Sequence, residues 1–193
     1  MSTSVEQDDR SSAVLTTANQ LTMLRIVFVP VFIILLVYGS TGWALTIFVA
    51  AGITDVLDGL IARRFGQKTT VGAYLDPIAD KLLMTSSVVI LSLPQMEFAN
   101  MIPRWLMIVM ISRDVFIFIF TLVLVLMAGV RTFPPSPYGK ASTVLQVATV
   151  FAVLFCNWRG APVAELQMLY FMTGFMTAFS GLHYLVTKVL VLK

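Results

Sequence analysis

The sequence predicts an all-α protein whose helices cross a lipid bilayer. Of its 193 residues, 58% are hydrophobic and only 12% are charged, and the mean hydropathy is +0.89. This composition lies outside the range of soluble globular domains. Several apolar runs are each long enough to cross a hydrocarbon core about 30 Å thick as a helix. Together these observations predict a polytopic helical membrane protein.

Six apolar runs define the predicted transmembrane helices. They are Leu21–Tyr38, Trp43–Ile61, Gly72–Leu93, Trp105–Met127, Ser142–Cys156 and Leu166–Thr187. The connections are too short to fold separately, so residues 19–193 are predicted to form one six-helix transmembrane domain. Residues 1–18 are polar and are predicted to be a disordered or interfacial cytoplasmic N-terminus. Residues 132–140 are predicted to be a loop, because three prolines disfavour a regular helix.

The distribution of basic residues predicts the orientation in the membrane. Six spans place both termini on one side, and most of the lysines and arginines fall on that side, whereas the opposite loops hold only Arg104 and Arg159. The positive-inside rule then makes both termini cytoplasmic, in an inner membrane protein whose active site faces the cytoplasm. The sequence has no Gly-rich phosphate loop of a soluble nucleotide-binding module, and no nucleic-acid partner is expected.

Four aspartates interrupt the apolar pattern at regular spacing. Asp55 and Asp58 are three residues apart and Asp76 and Asp80 are four apart, so each pair shares one helix face. Four uncompensated carboxylates would cost roughly 10 kcal/mol on membrane-insertion scales. Two divalent cations would supply four positive charges and prefer hard carboxylate oxygen. The pattern therefore predicts a two-metal site, which suits in-line displacement at a phosphoryl group.

Three other interpretations of the aspartates are open. They could form interfacial salt bridges with Arg63, Arg64, Lys68 and Lys81. They could serve an intramembrane prenyltransferase, although its acidic clusters are expected on separate helical repeats. A membrane transporter is the non-enzyme alternative, but its coupling carboxylates are expected near the bilayer midplane, whereas these four lie near the predicted cytoplasmic helix ends.

Residues 55–80 resemble the signature D-x2-D-G-x2-A-R-x8-G-x3-D-x3-D of the CDP-alcohol phosphotransferase family. Every specified position is matched, by Asp55, Asp58, Gly59, Ala62, Arg63, Gly72, Asp76 and Asp80. "NQLTMLR", residues 19–25, is similar to the family's opening of helix 1, with Ala18 in place of the usual proline. "GKASTVLQ", residues 139–146, is similar to the family's entry into helix 5.

The resemblance implies the family fold and a phosphatidyl transfer from CDP-diacylglycerol to the hydroxyl of an acceptor alcohol, with release of CMP. It implies two Mg²⁺ or Mn²⁺ ions held by Asp55, Asp58, Asp76 and Asp80. Asp80 would also be the catalytic base, because an acceptor hydroxyl must lose its proton as the new bond forms. The implied CDP-lipid contacts are Asp58, Gly59, Ala62, Arg63, Thr69, Asn19 and Thr22. The resemblance also implies a homodimer.

Two acceptors are open. Chain length and the helix 1 opening resemble the phosphatidylglycerophosphate synthases of this family, which use glycerol 3-phosphate, and this acceptor is predicted first. Its candidate contacts are Lys140, Arg113 and Arg131, because an anionic acceptor needs cationic recognition. However, Thr121 and Leu122 stand where those enzymes usually carry a further arginine. Ser112-Arg113-Asp114, together with "FMTAFSGLHY" at residues 175–184, resembles the family's cardiolipin synthases, which use phosphatidylglycerol. Arg113 could instead pair with Asp114 within the membrane and only fix helix packing.

Overall fold

The computed structural model of the protein describes residues 17–65, 81–128 and 136–191, and all the regular structure in these ranges is helical. The helices are α1 (Thr17–Val37), α2 (Thr41–Phe65), α3 (described over Lys81–Ile90), α4 (Arg104–Ala128), α5 (Pro137–Arg159) and α6 (Leu166–Val191). Each overlaps one predicted apolar run, which confirms the all-α prediction. Of the predicted N-terminal segment 1–18, residues 1–16 lie outside the described residues, and the last two residues are helical because α1 begins at Thr17.

Contacts group the chain into two compact units. The N-terminal unit is Met1–Ile90 and the C-terminal unit is Leu91–Lys193. In the N-terminal unit α1 packs on α2, and the rings of Phe32 and Phe48 lie 6.2 Å apart in its buried core. A tight turn joins the two helices. Gly39 adopts a φ of 72° there, a conformation that favours glycine.

The predicted loop over residues 132–140 is wrong at its C-terminal end. α5 begins at Pro137, so Tyr138, Gly139 and Lys140 are helical. The Ser136 hydroxyl caps the helix by accepting a hydrogen bond from the Gly139 amide at 3.0 Å. Proline at the first helical position is compatible with the helix, because its missing amide proton would have had no partner there. The proline count therefore predicted a loop where this proline starts a helix.

A buried polar seam joins α5 and α6 in the C-terminal unit. The hydroxyls of Thr149 and Thr173 lie 2.7 Å apart. One turn towards the start of α5, Ser142 and Gln146 each donate to the Thr177 hydroxyl at 3.2 Å. Small hydroxyl side chains allow helices in a membrane to approach closely and to hydrogen-bond across the interface. The seam therefore fixes the register of these two helices.

A second polar cluster closes the other end of α5. The side-chain amide of Asn157 donates to the backbone carbonyl of Asn100 at 2.9 Å, and the backbone amide of Asn100 donates to Asn157 Oδ1 at 2.8 Å. Asn100 Oδ1 accepts from the Val163 amide at 2.8 Å. These bonds connect the segment before α4 to the segment after α5 within the C-terminal unit.

Length and composition identify one helix among the described residues, Pro137–Arg159, that can cross a membrane. Met23–Val37, Thr41–Leu57 and Lys81–Ile90 are shorter apolar helical stretches. The number of membrane spans therefore stays a prediction.

Candidate active site

Asp55 is the signature aspartate whose side chain the structure describes. It lies in the second half of α2, and 48% of its side chain is exposed. Its Oδ1 atom is 2.9 Å from Nη1 of Arg25, which comes from α1 and is only 1% exposed. A buried guanidinium is costly unless an anion compensates it. Asp55 therefore also acts as a counter-charge across the interface between α1 and α2.

The backbone of α2 places other signature residues in order beside Asp55. Asp58 is almost one turn further along and so lies on the same face, and Ala62 follows one turn later. Gly59 and Arg63 also lie on α2, which continues to Phe65. The side chains of residues 58–65 are outside the described residues.

The remaining residues predicted around the metals and the CDP-lipid are described in part or not at all. Asn19 and Thr22 lie on α1, in the turns before Arg25, but their side chains are outside the described residues. Thr69, Asp76 and Asp80 also fall outside the part of the chain that the structure describes. Their predicted roles stay predictions.

The Asp55 carboxylate has the chemistry, exposure and lone-pair capacity that a ligand of a divalent cation needs. Its carboxylate supplies the hard oxygen that Mg²⁺ and Mn²⁺ prefer, and half of the side chain is accessible. A carboxylate offers about four lone-pair sites, so the contact with Arg25 leaves it able to bind a cation. No group of three potential metal ligands occurs among the described residues. Asp55 therefore fits the predicted metal site as one ligand.

Arg113 lies in a separate group of polar contacts in the C-terminal unit. Its side chain is 12% exposed, its Nη1 donates to Asp114 Oδ1 at 2.8 Å, and its Nη2 donates to the Ser180 hydroxyl at 3.1 Å. A methyl group added to Gly139 would lie 3.4 Å from Arg113 Nη2. The guanidinium therefore lies against the first turn of α5, where the exposed Lys140 follows.

These contacts place Arg113 against the helical turn that carries a second predicted acceptor residue, Lys140. Arg113 and the helical turn that carries Lys140 are neighbours, whereas Arg131 is outside the described residues. The alternative pairing of Arg113 with Asp114 is also present. The two interpretations are compatible, because a guanidinium has five N–H donors.

The comparison with known families identifies the chain. The profile of the CDP-alcohol phosphatidyltransferase family matches residues 15–182. This range contains α1 to α5 and most of α6. The chain belongs to the CDP-alcohol phosphatidyltransferase family. This finding confirms the resemblance inferred from the signature.

Several curated members of the CDP-alcohol phosphatidyltransferase family are similar to the chain. A probable cardiolipin synthase (CMP-forming) of Drosophila melanogaster is 33% identical over 91% of the chain and 58% of that protein. A probable phosphatidylglycerophosphate synthase of Mycobacterium tuberculosis is 38% identical over 69% of the chain and 63% of that protein. A CDP-diacylglycerol–glycerol-3-phosphate 3-phosphatidyltransferase of Haemophilus influenzae is 32% identical over 86% of the chain and 89% of that protein. The chain thus spans less than two thirds of the first two relatives.

The structure shows two contacts in this family member that the sequence does not predict. Arg25 is the last residue of "NQLTMLR", and its pairing with Asp55 is not predicted by that pattern. Ser180 was not recognised as a partner of Arg113. The available signals were weak: a charged residue inside an apolar run, and a Ser-Gly pair at 180–181. Neither signal identifies the partner on another helix.

Proposed function

We propose that the protein transfers the phosphatidyl group of CDP-diacylglycerol to a hydroxyl of a glycerol-containing anionic acceptor and releases CMP, a step of phospholipid biosynthesis. The observation that carries this proposal is the complete aspartate signature in a chain that belongs to the CDP-alcohol phosphatidyltransferase family. Asp55, accessible on α2 and held by Arg25, is consistent with it.

Each signature aspartate has a proposed task. Asp55, Asp58 and Asp76 would hold two divalent cations, and Asp80 would hold a cation and accept the proton of the acceptor hydroxyl. When bound, the cations would stabilise the negative charge that develops on the pyrophosphate and on the leaving CMP. A carboxylate is suited to the proton transfer, because the hydroxyl becomes acidic only as its oxygen bonds to phosphorus.

The CDP-lipid would bind along the face of α2 that carries the signature. Gly59 and Ala62 are small, so a bulky ligand can approach the helix closely there. Arg63 would contact a phosphate through charge-assisted hydrogen bonds, and Asp58, Thr69, Asn19 and Thr22 would complete the contacts with the cytidine and phosphates. The presence of "NQLTMLR" on α1, which packs on α2, supports the last two assignments.

Glycerol 3-phosphate is the first acceptor we propose. Arg113 lies against the first turn of α5, next to Lys140. Two cationic side chains beside the positive end of a helix suit a phosphate monoester, which carries close to two negative charges. The name of the Haemophilus influenzae relative specifies this acceptor for that protein.

Phosphatidylglycerol is the second acceptor, and a specific contact favours it. Thr121, at the position where a further arginine was expected for glycerol 3-phosphate, is hydrogen-bonded to the Tyr184 hydroxyl at 2.8 Å. This neutral pair supplies no charge for a phosphate. Asp114 also compensates part of the Arg113 charge, and a phosphodiester such as phosphatidylglycerol carries only one negative charge.

We further propose that the protein is an inner membrane protein with six spans, with its active site on the cytoplasmic face, and that it forms a homodimer. The described residues support a lipid environment, because polar side chains are buried while large apolar side chains are exposed. Buried polar residues include Ser142, Gln146, Thr149, Thr173 and Thr177, and largely exposed apolar residues include Ile34, Val56, Ile108, Phe118, Phe175 and Leu182.

An acceptor panel tests the proposal. Purified protein in detergent micelles would receive labelled CDP-diacylglycerol and Mg²⁺ with glycerol 3-phosphate, phosphatidylglycerol, inositol phosphate or serine. We expect CMP release and a labelled phosphodiester lipid with glycerol 3-phosphate. Product with phosphatidylglycerol alone would establish the second acceptor. Failure of every acceptor to release CMP would contradict the proposed activity.

A further inference from the structure

We propose that Arg25 is a positioning residue for the metal site: it holds Asp55 in the orientation in which that carboxylate binds a divalent cation. The inference rests on the proposed function and adds to it a residue outside the aspartate signature. It is carried by the contact between Arg25 Nη1 and Asp55 Oδ1 at 2.9 Å.

The burial of Arg25 makes it a rigid partner. Only 1% of its side chain is exposed, whereas 48% of the Asp55 side chain is exposed. An exposed aspartate alone would rotate freely between staggered conformers. The ion pair with a buried guanidinium at 2.9 Å restricts this rotation, because the attraction between opposite charges is strong where water is excluded. The exposed carboxylate is thus oriented by a group that cannot itself move into solvent.

The contact also leaves Asp55 with ligand capacity. A carboxylate has two oxygens and about four lone-pair sites, and the contact occupies Oδ1 on one side. Carboxylates that bind metals are commonly fixed by a partner that does not itself touch the metal, and loss of such a partner typically weakens metal binding by about 10–100-fold. Arginine suits the role better than lysine, because its planar fork keeps one geometry.

Two opposing effects of Arg25 can be separated by the sign of a measured change. As a positive charge near a cation, Arg25 should weaken metal binding by repulsion, so its removal should strengthen binding. As a positioning residue, it should strengthen binding, so its removal should weaken it. A purely structural Arg25 would change the thermal stability of the protein but leave the metal affinity of the folded fraction unchanged.

The test is a Mn²⁺ titration of the full-length protein in micelles without substrate, followed by the loss of the free Mn²⁺ signal in electron paramagnetic resonance. We expect Arg25→Gln to raise the half-saturating Mn²⁺ concentration about 10–100-fold and Arg25→Lys to raise it less. Arg104→Gln, which changes an exposed arginine of the C-terminal unit, should match the wild type. An unchanged or lower half-saturating concentration for Arg25→Gln would overturn the inference.

Two further arms keep the result interpretable. If Arg25→Gln does not fold, Arg25→Lys decides, and wild-type affinity in that variant overturns the inference. Wild-type protein that binds no Mn²⁺ would instead contradict the metal site of the proposed function.

In EDTA, the melting temperatures of the wild type, Arg25→Gln, Asp55→Asn and the double variant form a double-mutant cycle. We expect the melting temperature of the double variant to be no lower than that of the less stable single variant. Fully additive losses would contradict the pairing itself.

Discussion

Each unit holds an arginine that is largely shielded from solvent, but the two units neutralise its charge in different ways. In the N-terminal unit, Arg25 of α1 pairs with Asp55, thirty residues later on α2. In the C-terminal unit, Arg113 pairs with its chain neighbour Asp114, and its contact with α6 is a neutral hydroxyl, Ser180. One charge pair therefore joins two helices, whereas the other is local to a single helix.

This difference predicts how each unit responds to substitution. Asp55 is both a proposed metal ligand and the counter-charge of a buried arginine, so chemistry and helix packing should change together in the N-terminal unit. In the C-terminal unit the seam of hydroxyl and amide groups holds α5 against α6, while Lys140 is exposed. Acceptor binding and stability should therefore be separable there.

The largest effect is expected for Asp80→Asn. Asparagine keeps the size of the side chain and one coordinating oxygen but cannot accept the proton, so turnover should fall about 10²–10⁴-fold. Affinity for CDP-diacylglycerol should decrease less than turnover, because three aspartates still hold the cations. Both quantities would be measured at saturating Mg²⁺, with the exposed Glu165→Gln as the matched control.

The outcome for Asp80→Asn separates its two proposed roles. Near-normal turnover would exclude Asp80 as the base. Complete loss of CDP-diacylglycerol binding would show that its role as a metal ligand dominates.

A smaller and more selective effect is expected for Lys140→Ala. Loss of a charged contact with phosphate removes about 1.5–3 kcal/mol, so the KM for glycerol 3-phosphate should rise about 10–100-fold while the KM for CDP-diacylglycerol changes little. Arg159→Ala is the matched control, because it removes an exposed cation from the opposite end of α5. Equal increases in both KM values would contradict acceptor recognition by Lys140 and would indicate a general structural role.

The smallest effect concerns packing in the C-terminal unit. A methyl group added to Gly174 of α6 would lie 2.5 Å from Cζ3 of Trp105 on α4, whose ring stacks on Phe171 at 5.5 Å. The ring must move, so we expect Gly174→Ala to lower the free energy of unfolding by about 1–3 kcal/mol. Thermal unfolding in detergent measures the effect. Gly52→Ala is the control, because it adds a methyl group in open space on α2, and it should be neutral or slightly stabilising. Equal melting temperatures for the two variants would contradict the close packing of Trp105 on Gly174.

Much of the fold could be predicted from the sequence. Long apolar runs determine where helices form, and each predicted run overlaps a helix of the structure. Helix ends were less predictable, because they depend on local caps. The start of α5 at Pro137, capped by Ser136, shows that one proline can begin a helix in a segment whose composition suggests a loop.

The side-chain partners could not be predicted from the sequence in the same way. α1 is apolar around most of its circumference, so periodicity does not indicate which face meets α2. The pairing of Arg25 with Asp55 depends on that rotation, and the contact of Arg113 with Ser180 depends on the register of α4 against α6. In contrast, the signature identified the family directly, because eight specified residues at fixed spacing within 26 positions form a specific pattern.

Metal removal tests the central claim most directly. CMP release from labelled CDP-diacylglycerol would be measured with the preferred acceptor, first after dialysis against EDTA and then after stepwise addition of Mg²⁺ or Mn²⁺, in the wild type and in Asp76→Asn. We expect no release without metal, recovery in the wild type, and recovery in Asp76→Asn only at higher metal concentration. Full activity in metal-free buffer would contradict the two-metal site.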